Sequence, residues 1–207
     1  MAKEFKYTLS SFQMIIIGFA GIILLGTLLL MLPFSTQSGT ATSFFDALFT
    51  ATSAVCVTGL VVQDTATYWS YFGQFVILLL IQIGGMGVVT VASAFALLSG
   101  RKLSFSQRNI MQEALSAPQI GGIVKLTRFV IIGTFLFEIL GALVMMPVFC
   151  KDFGIKGIWM AIFHSISAFC NAGFDLLGIN AKYSSLTNYI ANPVINITIM
   201  LLIVIGG

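Results

Sequence analysis

The sequence predicts an all-α integral membrane protein, and three observations lead to that fold class. First, 58% of the 207 residues are hydrophobic and only 8% are charged, whereas soluble domains carry about 25% charged residues. Second, four apolar stretches are long enough to cross a bilayer as helices, which takes about 20 residues each. Third, the chain contains an internal repeat with the same order of apolar segments in each copy. A soluble domain is excluded because so few charges could not cover its surface.

The four apolar stretches cover residues 14–32, 71–98, 129–150 and 189–207. Stretch 129–150 contains one charged residue, Glu138, and the other three stretches contain none. The first stretch follows Lys3 and Lys6, as the apolar core of a signal peptide would. It is longer than the roughly 7–15 apolar residues of a signal peptide, so we predict a retained membrane helix.

Lysine and arginine are distributed unevenly among the segments that connect these stretches. Segment 33–70 contains neither residue type, whereas segment 99–128 contains five basic residues: Arg101, Lys102, Arg108, Lys125 and Arg128. Segment 151–188 contains Lys151, Lys156 and Lys182 and gives a weaker indication. Because cytoplasmic segments carry the excess of basic residues, we predict that the N-terminus and segment 99–128 face the cytoplasm. The other two segments are then outside.

Residue types that carry catalysis are sparse and scattered. The chain has 3 cysteines and 1 histidine, and their spacing matches neither a disulfide framework nor a zinc site. No paired carboxylates for acid–base chemistry are visible, so we predict that the protein is not an enzyme. The net charge of +3 is too small to indicate a nucleic-acid partner, and the bilayer is the expected environment.

A shift of 114 residues aligns the first part of the chain with the second. The shift pairs Pro33 with Pro147, Ser53-Ala54 with Ser167-Ala168, Cys56 with Cys170 and Gly59 with Gly173. The second copy has eight further residues before its last helix, and allowing for them aligns Gly84-Gly85 with Gly206-Gly207. Self-similarity of this kind indicates a repeat architecture. Both copies begin on the cytoplasmic side, so we predict parallel repeats that enclose a central path along the membrane normal.

Each repeat contains a short apolar segment, at residues 43–54 and 158–169. A helix of 12 residues is about 18 Å long, which is too short to cross a bilayer. Both segments are also too apolar for an exposed loop, so we predict re-entrant half-helices that enter from the outside and return as extended backbone. A helix lying on the outer leaflet is the alternative.

A short string ending in glycine follows each half-helix, Val55-Cys56-Val57-Thr58-Gly59 and Phe169-Cys170-Asn171-Ala172-Gly173. Backbone carbonyls can replace the water around a cation if successive peptide groups point the same way. Glycine adopts the positive φ that such a turn often needs. The C-terminal end of each half-helix carries a partial negative charge. These strings are therefore candidate cation-binding segments.

The residues around these strings also identify a family resemblance. Residues 49–60 closely resemble the first pore loop of Ktr-type potassium transporter membrane subunits, and residues 165–175 resemble the second. Those subunits belong to the Trk/Ktr/HKT superfamily, whose fold has four helix–pore loop–helix repeats around a pseudo-fourfold ion pore. The resemblance places the potassium ligands of the selectivity filter on the backbone carbonyls of Cys56, Val57, Thr58, Gly59, Cys170, Asn171, Ala172 and Gly173.

The same resemblance implies potassium transport across the plasma membrane, with sodium as a second transported ion. It also implies a homodimer of four-repeat subunits and a cytoplasmic ring of nucleotide-binding regulatory subunits. Within the chain we expect a first repeat at 1–98, a cytoplasmic linker at 99–128 with an amphipathic helix at 104–115, and a second repeat at 129–207. Two repeats and an apolar helix that stops at Gly207 lead us to expect the N-terminal half of a longer protein.

Two other functions are open from the sequence. One is a secondary transporter that binds a small organic substrate between broken helices, for which Glu138 is the candidate intramembrane charge. The other is a membrane scaffold without transport, which leaves the repeated glycine unexplained. We expect a structural role at Glu138, such as a hydrogen bond between helices, because the equivalent first-repeat residue is Leu24, and packing or a hydrogen bond at His164. Asp175 either attracts cations or caps a turn. Gly84, Gly85 and Gly87 allow either a close helix approach or a bend.

Overall fold

A computed structural model describes residues 11–87, 90–91, 123–179 and 181–207. These residues form helices joined by short connections, with one isolated antiparallel bridge between Thr36 and Trp69. The all-α fold class predicted from the sequence is therefore confirmed. The predicted amphipathic helix at 104–115 lies outside the described residues.

The helices follow the order that the repeat predicts. The first repeat contains α1 (Ser11–Leu30), α2 (Phe44–Val55), α3 (Thr65–Tyr68) and α4 (Tyr71–Met86). The second repeat contains α5 (Ile123–Phe153), α6 (Lys156–Phe169) and α7 (Pro193–Gly206). Short 3₁₀ segments lie in the connections at Pro33–Ser35, Leu177–Ile179 and Ser185–Tyr189.

Two of the described helices, α1 and α5, are long and apolar enough to cross a bilayer. Helices α2, α4 and α7 are also apolar but shorter. The 16 residues of α4 extend about 24 Å at 1.5 Å per residue. Large apolar side chains such as Ile16, Phe129 and Val204 are exposed on the outside of the bundle, as expected for helices surrounded by lipid.

Helix α4 ends at Met86, within the predicted stretch 71–98, of which residues 88–89 and 92–98 lie outside the described residues. Gly87 has a φ of +79° and its N–H bonds to the carbonyl of Gly84, which closes the last turn of the helix. Helical residues are described again at Thr90 and Val91. Of the two interpretations given for Gly87, the interruption of the helix favours the bend.

Helix α5 is longer than the predicted stretch 129–150. It begins at Ile123 and continues through Pro147 to Phe153, whereas the equivalent Pro33 lies beyond the end of α1. In the first repeat, Ser70 binds the chain after Pro33: its N–H donates to the Ser35 carbonyl at 2.9 Å and its hydroxyl donates to the Phe34 carbonyl at 2.6 Å. Since α5 begins within 99–128, the division into repeat, linker and repeat stays a prediction.

Helices α2 and α7 each begin directly after a capping residue. Ser43 caps α2 by accepting a hydrogen bond from the Asp46 N–H. Asn192 caps α7 by accepting from Val194 and Ile195, so the helix begins at Pro193 instead of residue 189. Proline fits the first helical position because its missing N–H would be unpaired there.

Both repeats pack in the same way and share one core. Helices α1, α2 and α4 contact one another, as do α5, α6 and α7, and α4 against α6 joins the two sets. Side chains from both repeats are fully buried in a single hydrophobic cluster, among them Trp69, Ile77, Met145, Phe149 and Phe163. The loops that follow α2 and α6 meet at Gly59 and Gly173.

Candidate functional site

Helix α2 ends in a turn that reverses the chain at the first candidate loop, residues 56–59. The N–H of Val57 bonds to the carbonyl of Ala54 at 3.3 Å, and the N–H of Thr58 bonds to the carbonyl of Ser53 at 3.0 Å. This pair of bonds is the Schellman motif, which satisfies the last carbonyls of a helix. The chain therefore leaves α2 with a defined direction rather than as a free loop.

Helix α6 ends with the same pair of bonds, at the second candidate loop, residues 170–173. The N–H of Asn171 bonds to the carbonyl of Ala168 at 3.0 Å, and the N–H of Ala172 bonds to the carbonyl of Ser167 at 2.8 Å. The two loops therefore have one backbone design, although their sequences share only cysteine and glycine at the aligned positions.

Each candidate loop contains two residues with positive φ. Gly59 and Gly173 have φ values of +71° and +73°, as the sequence analysis predicts for the glycines. Val57 and Asn171 also have positive φ, at +50° and +57°, which the sequence analysis missed. Asparagine tolerates this region, but a β-branched valine there is strained. Such strain persists only where the surrounding structure imposes it, and it is concentrated at functional sites.

The two candidate loops contact each other at their glycines. A side-chain carbon added to Gly59 would lie 2.5 Å from the carbonyl oxygen of Ala172 and 3.3 Å from Gly173 Cα. A carbon added to Gly173 would lie 3.6 Å from Gly59 Cα. Glycine at 59 is therefore required both by its φ and by the approach of the neighbouring backbone.

Glycines at equivalent positions near the ends of α4 and α7 pack against the last residues of α2 and α6. A carbon added to Gly84 would overlap the carbonyl group of Val55, the last residue of α2. A carbon added to Gly206 would overlap the carbonyl group of Phe169, the last residue of α6. Of the interpretations given for Gly84, the close helix approach is confirmed.

Two aligned serines contribute hydrogen bonds that the sequence analysis did not predict. Ser53 Oγ lies 2.9 Å from Thr58 Oγ1, and Ser167 Oγ donates to the carbonyl of Phe174 at 2.7 Å. Both bonds join the last turn of the short helix to the chain that follows. The recurrence of serine after a shift of 114 residues was the one signal that could have identified them.

His164 is a buried hydrogen-bonding residue, one of the two roles predicted for it. Its Nδ1 lies 2.7 Å from the carbonyl of Met160, and its Nε2 accepts the N–H of Leu176 at 3.3 Å. This pair of bonds requires the neutral ring with its hydrogen on Nδ1. His164 therefore fastens the chain that follows the second loop to α6.

Asp175 caps a turn, because its Oδ1 accepts the N–H of Leu177 at 2.9 Å. Asp64 has a larger role that the sequence analysis missed. Its Oδ1 accepts from the N–H of Ala66, the N–H of Thr67 and the hydroxyl of Thr67, at 2.9–3.1 Å. Its Oδ2 accepts from the N–H of Tyr183 in the second repeat at 2.9 Å. Asp64 therefore joins the segment between α2 and α4 to the segment between α6 and α7.

We expect Asp64→Asn to lower the stability of the complete protein by about 2–3 kcal/mol, since the amide NH₂ would face the Tyr183 N–H in place of a carboxylate oxygen. The measurement is thermal unfolding of the purified protein in detergent. Asp175→Asn is the matched control, because Asp175 accepts one backbone bond within its own turn. Equal melting temperatures for the two variants would contradict the role of Asp64.

A cavity of about 470 Å³ lies between α4, α5 and α7, next to the start of the second loop. Its lining is largely apolar and includes Met86, Phe137, Phe169 and Cys170.

The residues of the two candidate loops differ in exposure. Four are exposed, Cys56, Thr58, Asn171 and Gly173, whereas Cys170 and Ala172 are buried. Each candidate loop thus has a face that the described residues leave open.

Comparison with known proteins gives a consistent set of relatives. A family model described as "TrkH: Cation transport protein" matches residues 3–207. The chain is 44% identical over its whole length to the "Potassium/sodium uptake protein NtpJ" of Enterococcus hirae, of which it covers 45%. It is 41% identical over 94% of its length to the "Ktr system potassium uptake protein B" of Bacillus subtilis, of which it covers 42%. A protein of the same name from Vibrio alginolyticus is 34% identical, with the same coverage. The chain thus spans less than half the length of these curated relatives.

Proposed function

Since this chain belongs to the TrkH family of cation transport proteins, we propose that it forms part of a pathway for monovalent cations across the plasma membrane. Potassium is the transported ion, with sodium as a second ion, and no covalent chemistry is involved. Relatives named as potassium/sodium and potassium uptake proteins support this proposal. The observation that carries it is the contact between the two glycine loops, which brings two equivalent carbonyl-bearing turns to one place.

In this proposal the cation ligands are the backbone oxygens of the two candidate loops. The residues are Cys56, Val57, Thr58, Gly59, Cys170, Asn171, Ala172 and Gly173. Positive φ values in both loops support it, since they turn the peptide groups out of the helical direction. The C-terminal ends of α2 and α6 add a partial negative charge beside the loops. Selectivity then comes from carbonyl oxygens that replace the hydration shell.

The wider architecture is part of the same proposal. The chain supplies two of four repeats around a pseudo-fourfold pore, α2 and α6 are re-entrant, and the N-terminus is cytoplasmic. A homodimer of four-repeat subunits binds a cytoplasmic ring of nucleotide-binding regulatory subunits through segment 99–128. The support is the family resemblance, the excess of basic residues in 99–128 and the coverage of less than half of each relative.

The burial of Glu138 weighs against the organic-substrate alternative. That alternative needs an intramembrane charge that a substrate can reach, whereas Glu138 is buried and its carboxyl group accepts a hydrogen bond from Gln82 at 2.8 Å. The residue therefore fits the structural role predicted from the sequence.

Uptake by whole cells tests the proposal. The complete protein, produced in bacteria that lack their own potassium uptake, should restore Rb⁺ uptake and growth at low potassium. Cells with an empty vector are the control. Restored uptake of an organic solute without any Rb⁺ uptake would contradict the proposal.

A further inference from the structure

Glu138 and Gln82 form a hydrogen bond across the boundary between the two repeats. Gln82 Nε2 on α4 donates to Glu138 Oε1 on α5 at 2.8 Å. Glu138 is 4% exposed and Gln82 is 8% exposed. The first repeat has Leu24 at the position equivalent to Glu138. The Glu138–Gln82 contact therefore belongs to the boundary and is not part of the repeated design.

The same carboxyl group lies against Cys170, where the second candidate loop begins. Cys170 Sγ is 4.0 Å from Glu138 Oε1. On the other side, a carbon added to Gly85 of α4 would lie 2.6 Å from both Cβ and Sγ of Cys170. Ser165 on α6 also donates its hydroxyl to the backbone oxygen of Glu138 at 2.6 Å. Helices α4 and α5 thus hold Cys170 between them.

We propose that Glu138 and Gln82 are positioning residues for the second candidate loop. Their hydrogen bond holds α4 of the first repeat against α5 of the second. It thereby sets where Cys170 and the carbonyls after it lie relative to the loop of Gly59. The inference rests on the proposed function and deepens it, since it assigns ion preference partly to a contact that does not touch the ion.

The unpaired acceptor of Gln82 makes the role of hydrogen bonding separable from the role of charge. Gln82 Oε1 is buried and has no hydrogen-bond partner among the described residues. An amide at position 138 could accept from Gln82 Nε2 and also donate to Gln82 Oε1. A glutamine at 138 should therefore preserve the contact, whereas leucine, the residue of the first repeat, should remove it.

The test measures Rb⁺ and Na⁺ uptake by the complete protein in bacteria that lack potassium uptake, normalised to the amount of protein in the membrane. Glu138→Leu and Gln82→Leu should each lower the ratio of Rb⁺ to Na⁺ uptake about three- to tenfold, because a buried hydrogen bond is lost. Glu138→Gln should keep the ratio close to that of the wild type. A purely structural residue would change the amount of protein without changing this ratio.

Gln74→Leu is the matched control. Gln74 is also a buried glutamine of α4 and also bonds across the repeats, accepting from Trp159 Nε1 at 2.8 Å. Its NH₂ group bonds to the carbonyls of Thr65, Ala66 and Trp69, away from both loops. This variant should lower the amount of protein and leave the uptake ratio unchanged.

The inference is overturned by an unchanged ratio in both leucine variants at 82 and 138. It is also overturned by a loss in Glu138→Gln as large as in Glu138→Leu, or by an equal loss in Gln74→Leu. If Glu138→Leu does not accumulate, Gln82→Leu and the exchange variant Gln82→Glu/Glu138→Gln decide the question, since the exchange keeps one amide and one carboxyl group. The exchange should keep the ratio, and a loss there would count against the inference.

A wild-type protein without Rb⁺ uptake would overturn the proposed function, and the inference with it.

Discussion

Gly59→Ala is expected to reduce the ratio of potassium to sodium uptake at least tenfold. The added carbon would lie 2.5 Å from the Ala172 carbonyl oxygen and 3.3 Å from Gly173 Cα, so the two candidate loops would have to separate. Alanine at a φ of +71° adds backbone strain of about 1–2 kcal/mol. Both effects act on the backbone that is proposed to bind the cation. The measurement is Rb⁺ and Na⁺ uptake in cells that lack potassium uptake.

Gly39→Ala separates strain from the contact between loops. Gly39 has a similar φ of +69°, and nothing lies within 4 Å of the carbon that alanine would add. This variant should lose about 1 kcal/mol of stability and keep its ion preference. Gly173→Ala, with 3.6 Å to Gly59 Cα, should be intermediate. Equal ion preference in the wild type and Gly59→Ala would refute the assignment of this loop to the cation path.

Gly84→Ala is expected to prevent most of the complete protein from folding. The added carbon would overlap the Val55 carbonyl oxygen and lie 2.7 Å from the carbonyl carbon and 2.9 Å from Val55 Cα. These are backbone atoms at the end of α2, so no side-chain rotation relieves the overlap. A cost of roughly 3–5 kcal/mol follows from overpacking and the loss of the α2–α4 contact. The measurement is the fraction of monodisperse protein after extraction in mild detergent.

Gly206→Ala provides an internal check on this prediction, since the added carbon would overlap the Phe169 carbonyl at the end of α6. The two variants should behave alike because the repeat places the two glycines equivalently. Gly21→Ala on α1 is the control, with nothing within 4 Å of the added carbon, and should leave the yield unchanged or higher. A normal yield of Gly84→Ala would show that α2 and α4 do not pack this closely.

The sequence predicted best those elements that its composition and its internal repeat indicate. Apolar stretches located α1, α5 and the start of α4, and the recurrence of Gly59 as Gly173 identified the two candidate loops. These signals are local, since burial in lipid and a positive φ each restrict the residue type at one position. The repeat also indicated the close approach at Gly84, which recurs as Gly206.

Features that depend on contacts between distant segments were missed or misjudged. Asp64 carries no motif, and its bond to Tyr183 spans 119 residues. The positive φ of Val57 opposes the local preference of a β-branched residue, so no propensity could predict it. Helix α5 extends beyond the predicted stretch 129–150 at both ends, from Ile123 to Phe153. The end of α4 at Gly87 was masked by the continuous apolar stretch that follows it.

The most direct test of the central claim is the position of a heavy monovalent cation in the complete protein. A structure determined with Rb⁺ or Tl⁺ should contain anomalous density about 3 Å from backbone oxygens of both loops, beside Gly59 and Gly173. Replacement by Na⁺ should remove that density. Density confined to other parts of the molecule, with both loops unoccupied at saturating Rb⁺, would contradict the account.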